Sequence, residues 1–110
     1  MSYNIEVTSL FEKQIKRLAK KYPSLKKEYI ELVSSLKQNP VQGASIGNSC
    51  YKIRIGIASK GKGKSGGGRV ITHIKITQTK IYLLSIYDKS EQSDITDNDL
   101  LEWLKLLYDL

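Results

Sequence analysis

The sequence predicts an α+β domain: an N-terminal strand and a helical hairpin packed on an antiparallel β-sheet, closed by a C-terminal helix. Three observations carry this expectation. Apolar residues recur at helical spacing between Ser9 and Leu36, three alternating or apolar runs follow between Cys50 and Tyr87, and a last helical pattern begins near Thr96. At 110 residues the chain has material for one modest core, so a single domain over residues 1–110 is expected.

The stretch YNIEVT alternates and reads as a first strand with Ile5 and Val7 facing inward. Ser9 is positioned to cap a helix whose Phe11, Ile15, Leu18 and Tyr22 make one apolar stripe, with Lys13, Lys16, Arg17, Lys20 and Lys21 around the other side. Pro23 ends that helix and Ser24 is placed to cap the next. Leu25, Tyr29, Leu32, Val33 and Leu36 form the second stripe, which stops near QNP at residues 38–40.

In CYKIRIGIA (50–58), Tyr51, Ile53, Ile55 and Ile57 oppose Lys52, Arg54 and Gly56. RVITHIKI (69–76) sets Val70, Thr72, Ile74 and Ile76 against Arg69, Ile71, His73 and Lys75, and KIYLLSIY (80–87) is apolar enough for a central strand. The expected sheet is an antiparallel meander with one face on the helices and the other wet and basic. In the last helix Asp97 and Asp99 suit the positive N-terminal end, and Leu100, Leu101, Leu104, Leu107 and Tyr108 form the apolar side.

Charge is distributed unevenly. The formal net charge is +7, and residues 32–87 hold nine lysines and arginines with no acidic residue, whereas residues 88–110 hold two bases and seven acids. A basic middle of this kind points to an acidic partner, nucleic acid above all. One cysteine, Cys50, and one histidine, His73, leave no disulfide and no cysteine-based metal cluster to build. Asp94, Asp97, Asp99 and Glu102 read as charges around a helix start, so no metal site and no cofactor is expected. No run reaches the roughly 20 apolar residues of a membrane span, and no signal peptide opens the chain, so a cytoplasmic protein without membrane contact is expected.

The segment ASKGKGKSGGGR at 58–69 holds five glycines, three lysines and an arginine. Gly61, Gly63 and Gly66 spell G-x-G-x-x-G, and GKS at 63–65 imitates the end of a phosphate-binding loop. Both motifs need a helix to follow, whose N-terminal amides meet the phosphates; here a β-branched alternating run follows. The segment is therefore expected as a long hairpin loop between neighbouring strands. Lys60, Lys62 and Lys64 give it charge, next to Lys52, Arg54 and Arg69 on the adjoining strands.

Taken in order, FEKQIKRLAKKYPSL, NPVQGASI, YKIRIGIASKGKGKSGGGRVI and YLLSIYDKSEQSDI resemble the RelE-like toxins of bacterial type II toxin–antitoxin pairs, in the RelE/ParE superfamily and especially its HigB-like branch. That resemblance implies a compact α+β domain that enters the ribosomal A site and cleaves messenger RNA there, and that a cognate antitoxin blocks. It implies that Arg69 matches the strand arginine contacting the scissile phosphate. Lys52 and Arg54, with Lys60, Lys62 and Lys64, match the family's basic cluster, and Lys89 falls near a second basic position after the penultimate strand. Some members carry a tyrosine or histidine acid–base group near the C-terminal end; SEQSDI offers neither.

The chemistry such residues suit is metal-independent RNA cleavage, in which a 2′-hydroxyl attacks the adjacent phosphate and leaves a 2′,3′-cyclic phosphate. Arginine fits the added negative charge, because its guanidinium stays charged and grips two oxygens at once. Arg69 is the first candidate and Arg54 the second. His73 shares strand parity with Arg69 and is an acid–base candidate, and Tyr87 offers a proton while also suiting a packing role. Two further readings stay open on the sequence: a ParE-like inhibitor of DNA gyrase, and a nucleic-acid-binding regulator without chemistry.

Overall fold

In the computed structural model, residues 2–61 and 66–108 are described. The chain runs β1 (Asn4–Val7), α1 (Ser9–Lys21), α2 (Leu25–Gln38), β2 (Ala44–Gly47), β3 (Cys50–Ile55), β4 (Gly68–Lys75), β5 (Lys80–Asp88) and α3 (Asp97–Tyr108), with short 3-10 turns at Ala58–Lys60 and Ile76–Gln78. The strands form one sheet in the order β1-β5-β4-β3-β2.

The expected α+β architecture is present, and β3, β4 and β5 make the antiparallel meander. The sheet has two members outside the meander: β1, whose alternation announced a strand but not its pairing, and β2. β1 joins β5 in parallel, with Ile5 beside Ile81 and Val7 beside Leu83, so the chain must cross back through the helical hairpin. β2 adds a four-residue edge strand whose sequence, ASIG, is too short and too exposed to carry a pattern.

One face of the sheet meets α1 and α2. Phe11, Leu18, Leu25 and Leu36 close over Ile53, Ile55, Val70, Ile74, Ile81, Leu83 and Ile86, with Ile15, Tyr22, Tyr29, Leu32 and Val33 at the margin. The cap of α1 lies one residue before the expected Ser9: Thr8 Oγ1 accepts the Phe11 amide at 3.2 Å, and Ser9 is already helical. Ser24 does precede α2, but its hydroxyl bonds Glu28 and Ser59 instead of a helix amide.

The opposite face corrects the expectation of a wet, basic surface. α3 lies on it and builds a second core from Cys50, Ile71, Leu84, Tyr87 and Leu100, with Trp103, Leu104 and Leu107 packed alongside. The apolar side of α3 is broader than the contact it makes, so Leu101 and Leu106 remain 49% and 82% exposed. Thr96 Oγ1 accepts the Asp99 amide at 3.0 Å and starts the helix. Ile76 turns out of the sheet in a 3-10 turn and is exposed. Among the described residues, no helix is long and apolar enough to cross a membrane.

Candidate active site

The ladder between β3 and β4 places Arg54 opposite Arg69, and the ladder between β4 and β5 places Arg69 opposite Tyr87. Side chains alternate along a strand, so Lys52 and Arg54 share the face of Cys50, and Arg69 shares that of Ile71. Arg54 is exposed, whereas Arg69 is only 6% exposed. Like charges directly opposite each other on a ladder cost stability. Two guanidinium groups on one rung therefore suit a place where an anion is to be held.

That rung opens into a cleft of about 800 Å³, with Lys52, Arg54, Arg69 and Lys89 on one side and Glu28 and Glu31 of α2 on the other. The cleft exists because β2 is short. Its pairing with β3 stops at Ala44 opposite Lys52, which leaves the β3 edge beyond Lys52 facing α2. Gly43 makes this possible: its φ is +82°, and a Cβ there would lie 2.3 Å from the Lys52 carbonyl oxygen.

Each cation is held differently. Arg69 donates from Nη1 to the Gly68 carbonyl at 2.9 Å. Lys89 follows β5; its backbone amide bonds the Gly67 carbonyl at 3.0 Å and its Nζ the Ser93 carbonyl at 2.9 Å. Lys52 pairs with Asp94 at 3.1 Å. The Ile95 amide and the Lys52 ammonium hold the Asp94 carboxyl below the usual carboxylate range.

Lys60 is placed otherwise than the RNA-binding expectation has it. Its ammonium is buried and forms an ion pair with Asp88, which is fully buried, and it donates to the Gly66 carbonyl at 2.8 Å. Asp88 also accepts from Tyr22 Oη at 2.6 Å and from the Ser90 amide and hydroxyl at 2.9 and 2.8 Å. Burial alone pushes the Asp88 carboxyl up, but the hydrogen bonds from Lys60, Tyr22 and Ser90 outweigh it and hold the group well below its ordinary value. Lys60 thus ties the two roots of the loop to the end of β5. Lys62 and Lys64 lie outside the described residues.

His73 is not brought to the cleft. Its strand parity is as expected, but α3 covers it: Nε2 meets Tyr108 Oη at 2.5 Å and Nδ1 meets Cys50 Sγ at 3.4 Å. It lies four positions along β4 from Arg69, about 13 Å along a strand. Burial and, to a lesser degree, the Lys75 charge lower its pKa, against the pull of the Asn48 and Ser49 carbonyls. Burial likewise pushes the Cys50 thiol up to about 12. Tyr87 packs in the second core, and among the described residues its buried hydroxyl meets no partner at full hydrogen-bond geometry, Asp94 being the nearby acidic group that, after burial, pushes its pKa up.

The sequence pattern passes over the acidic side of the cleft and the Asp88 hub. Glu28 and Glu31 sit in a helix where carboxylates are commonplace, and only the fold sets them opposite β3. Asp88 carries one faint signal: it is a charged residue directly following the most apolar run in the chain.

A mixed sheet between a helical hairpin and a third helix, with cations converging at its edge, defines a small α+β domain with a basic cleft. The protein-family model described as the RelE toxin of the RelE/RelB toxin–antitoxin system matches residues 9–108, and the chain belongs to that family. Solved structures agree on the fold. A double mutant of the Escherichia coli toxin RelE in the free state superposes with a TM-score of 0.62 at 15% identity, covering 96% of this chain and 97% of that one. The isolated E. coli RelE toxin gives 0.56 at 17% identity, covering 96% and 99%. The RelBE2 toxin–antitoxin complex of Mycobacterium tuberculosis gives 0.59 at 14% identity, covering 80% and 99%.

Proposed function

We propose that this protein is the toxin of a toxin–antitoxin pair and cleaves messenger RNA on the ribosome without a metal ion. The observation that carries the reading is the Arg54–Arg69 rung, which opens into one cleft with Lys52 and Lys89. In-line attack by a 2′-hydroxyl puts extra negative charge on the phosphate oxygens. Arg69, buried at the base of the rung, offers a guanidinium already stripped of most of its water, where a fixed charge acts more strongly than in solvent. Arg54 and Lys52 hold the same phosphate or its neighbour from the exposed side, and Lys89 approaches from the end of β5. The ribosome supplies the remaining order by fixing the message in line, since positioning alone is worth several kcal/mol.

Membership of a family described by its pairing with RelB, and the solved RelBE2 complex, support a cognate antitoxin as partner. Induced expression tests the whole reading. Growth arrest with truncated messages, relieved by Arg69→Ala, is the expected result. Arrest with intact messages and altered plasmid supercoiling would instead assign the toxin to gyrase.

A further inference from the structure

We propose that Asp94 is the general base of this cleavage, the carboxylate that takes the proton from the attacking 2′-hydroxyl; the inference rests on the nuclease reading of the cleft. Charged lysine and arginine side chains offer donors and no proton acceptor. The acceptor must come from another group that reaches the sheet face shared by Lys52, Arg54 and Arg69.

Asp94 reaches that face by direct contact. Its Oδ1 lies 3.1 Å from Lys52 Nζ, and Lys52 stands two residues before Arg54 on the same side of β3. Lys89 Nζ bonds the adjacent Ser93 carbonyl at 2.9 Å, so two cations of the cleft converge on this short segment. On the far side, Tyr87 pairs with Arg69 across the β4–β5 ladder, as Arg69 pairs with Arg54 across β3–β4. After burial, Asp94 raises the pKa of the Tyr87 hydroxyl and Arg69 lowers it, so both charges act at that one group. A carboxylate shared by Lys52 of β3 and Tyr87 of β5 stands across β4, the strand that carries Arg69 between them. The segment is also fixed: the Ile95 amide donates to Asp94 Oδ1 at 2.8 Å, and the Ile95 side chain packs on the second core.

The other acid–base groups are withdrawn or spoken for. His73 and Cys50 lie buried beneath α3. The Tyr87 hydroxyl, with its raised pKa, keeps its proton at neutral pH. Glu28 belongs to α2, which packs on the opposite face of the sheet, and its two oxygens accept the Ser24 hydroxyl and the Ala58 amide.

The contact with Lys52 suits a base that switches on with substrate. The Ile95 amide and the Lys52 ammonium hold the Asp94 carboxyl below the usual range, so it is ionised at neutral pH. An ammonium has three protons, and two oxygens bonded to it lie within about 5 Å of each other. A phosphate held by Lys52 therefore brings its attacking 2′-hydroxyl close to Asp94. As the ammonium turns toward the phosphate, the carboxylate loses a donor and gains proton affinity. The 2′-hydroxyl proton then passes to an Asp94 oxygen as the O2′–phosphorus bond forms and the phosphorus–O5′ bond breaks. The departing O5′ takes a proton from a water molecule, and the hydroxide left behind recovers the proton from Asp94. The products are a 2′,3′-cyclic phosphate and a 5′-hydroxyl end.

Asp94→Asn keeps the shape and removes the base. On ribosomes programmed with a defined message, the expected result is a maximal rate at least 100-fold below wild type. The half-saturating concentration should stay the same or fall, since a carboxylate that repels phosphate is gone. Lys52→Ala separates a base from a mere holder of Lys52: adding D94N to that variant should still lower its maximal rate by at least 100-fold. Wild-type cutting by D94N, a loss confined to the half-saturating concentration, or a loss that vanishes in the Lys52→Ala background overturns the assignment and leaves the nuclease reading standing. A message left intact by the wild-type protein overturns both.

Discussion

Arg54 and Arg69 stand directly opposite each other on β3 and β4, the first exposed and the second buried. A phosphate bridging the two guanidinium groups would offset the repulsion between like charges on one rung. Arg54→Ala and Arg69→Ala should each lower RNA cleavage by roughly 10²–10³-fold, the usual loss when a fixed donor to a developing anion is removed. Arg54→Ala should leave stability unchanged or slightly raised, since it relieves the repulsion. Arg69→Lys should recover only part of the activity, because an ammonium lacks the two-pronged grip. Chemical denaturation alongside a cleavage assay checks all three.

The Lys60–Asp88 pair predicts a separation between folding and function. Removing one partner leaves a buried charge uncompensated, which costs roughly 3–5 kcal/mol. Asp88→Asn and Lys60→Met should therefore each lower the urea midpoint sharply. The combined Lys60→Met, Asp88→Leu variant should be less destabilised than the sum of the single changes. Because the Asp88 carboxyl is depressed in the folded state, its contribution is complete above the unfolded value, about pH 4, and is lost as pH falls below it. Wild-type stability should fall in that acid range more steeply than that of Asp88→Asn.

His73 predicts a pH effect at a different place. Its folded-state pKa is lowered, chiefly by burial, so folding favours the neutral ring. The stability this gives is complete above the unfolded value near pH 6.5 and is lost as pH falls below it. His73→Phe should remove that dependence while leaving the cleft cations in place and cleavage within a few-fold of wild type. A thermal-melt series across pH 5–8 together with a cleavage assay distinguishes this from a catalytic histidine, whose loss would cost orders of magnitude.

These contrasts show what the sequence could convey. Strand parity and charge sign were enough to gather Lys52, Arg54 and Arg69, because β3 and β4 are adjacent and their register follows from one hairpin, whereas Lys89 was reached only through the family resemblance. Lys60 carries the same charge as its neighbours, and only its partner 28 residues further on makes it structural. His73 has the right parity, but parity says nothing about the helix laid over that part of the face. The parallel pairing of β1 is likewise invisible locally, since an alternating strand fits either direction.

Asp94 offers a finer test of the cleft's electrostatics. It pairs with Lys52 on a largely exposed surface, where such bridges add little to stability. Asp94→Asn should leave the melting temperature nearly unchanged, free Lys52 for phosphate, and tighten RNA binding a few-fold at low salt. Binding isotherms at two salt concentrations check this, with the difference shrinking as salt rises.

The most direct measurement is 5′-end mapping of a ribosome-bound message after brief induction of the wild-type protein and of Arg69→Ala at matched levels. New 5′ ends within the translated region with wild type, absent with Arg69→Ala, are the predicted result. Arrested growth with no new ends, or the same ends from both proteins, would contradict the account.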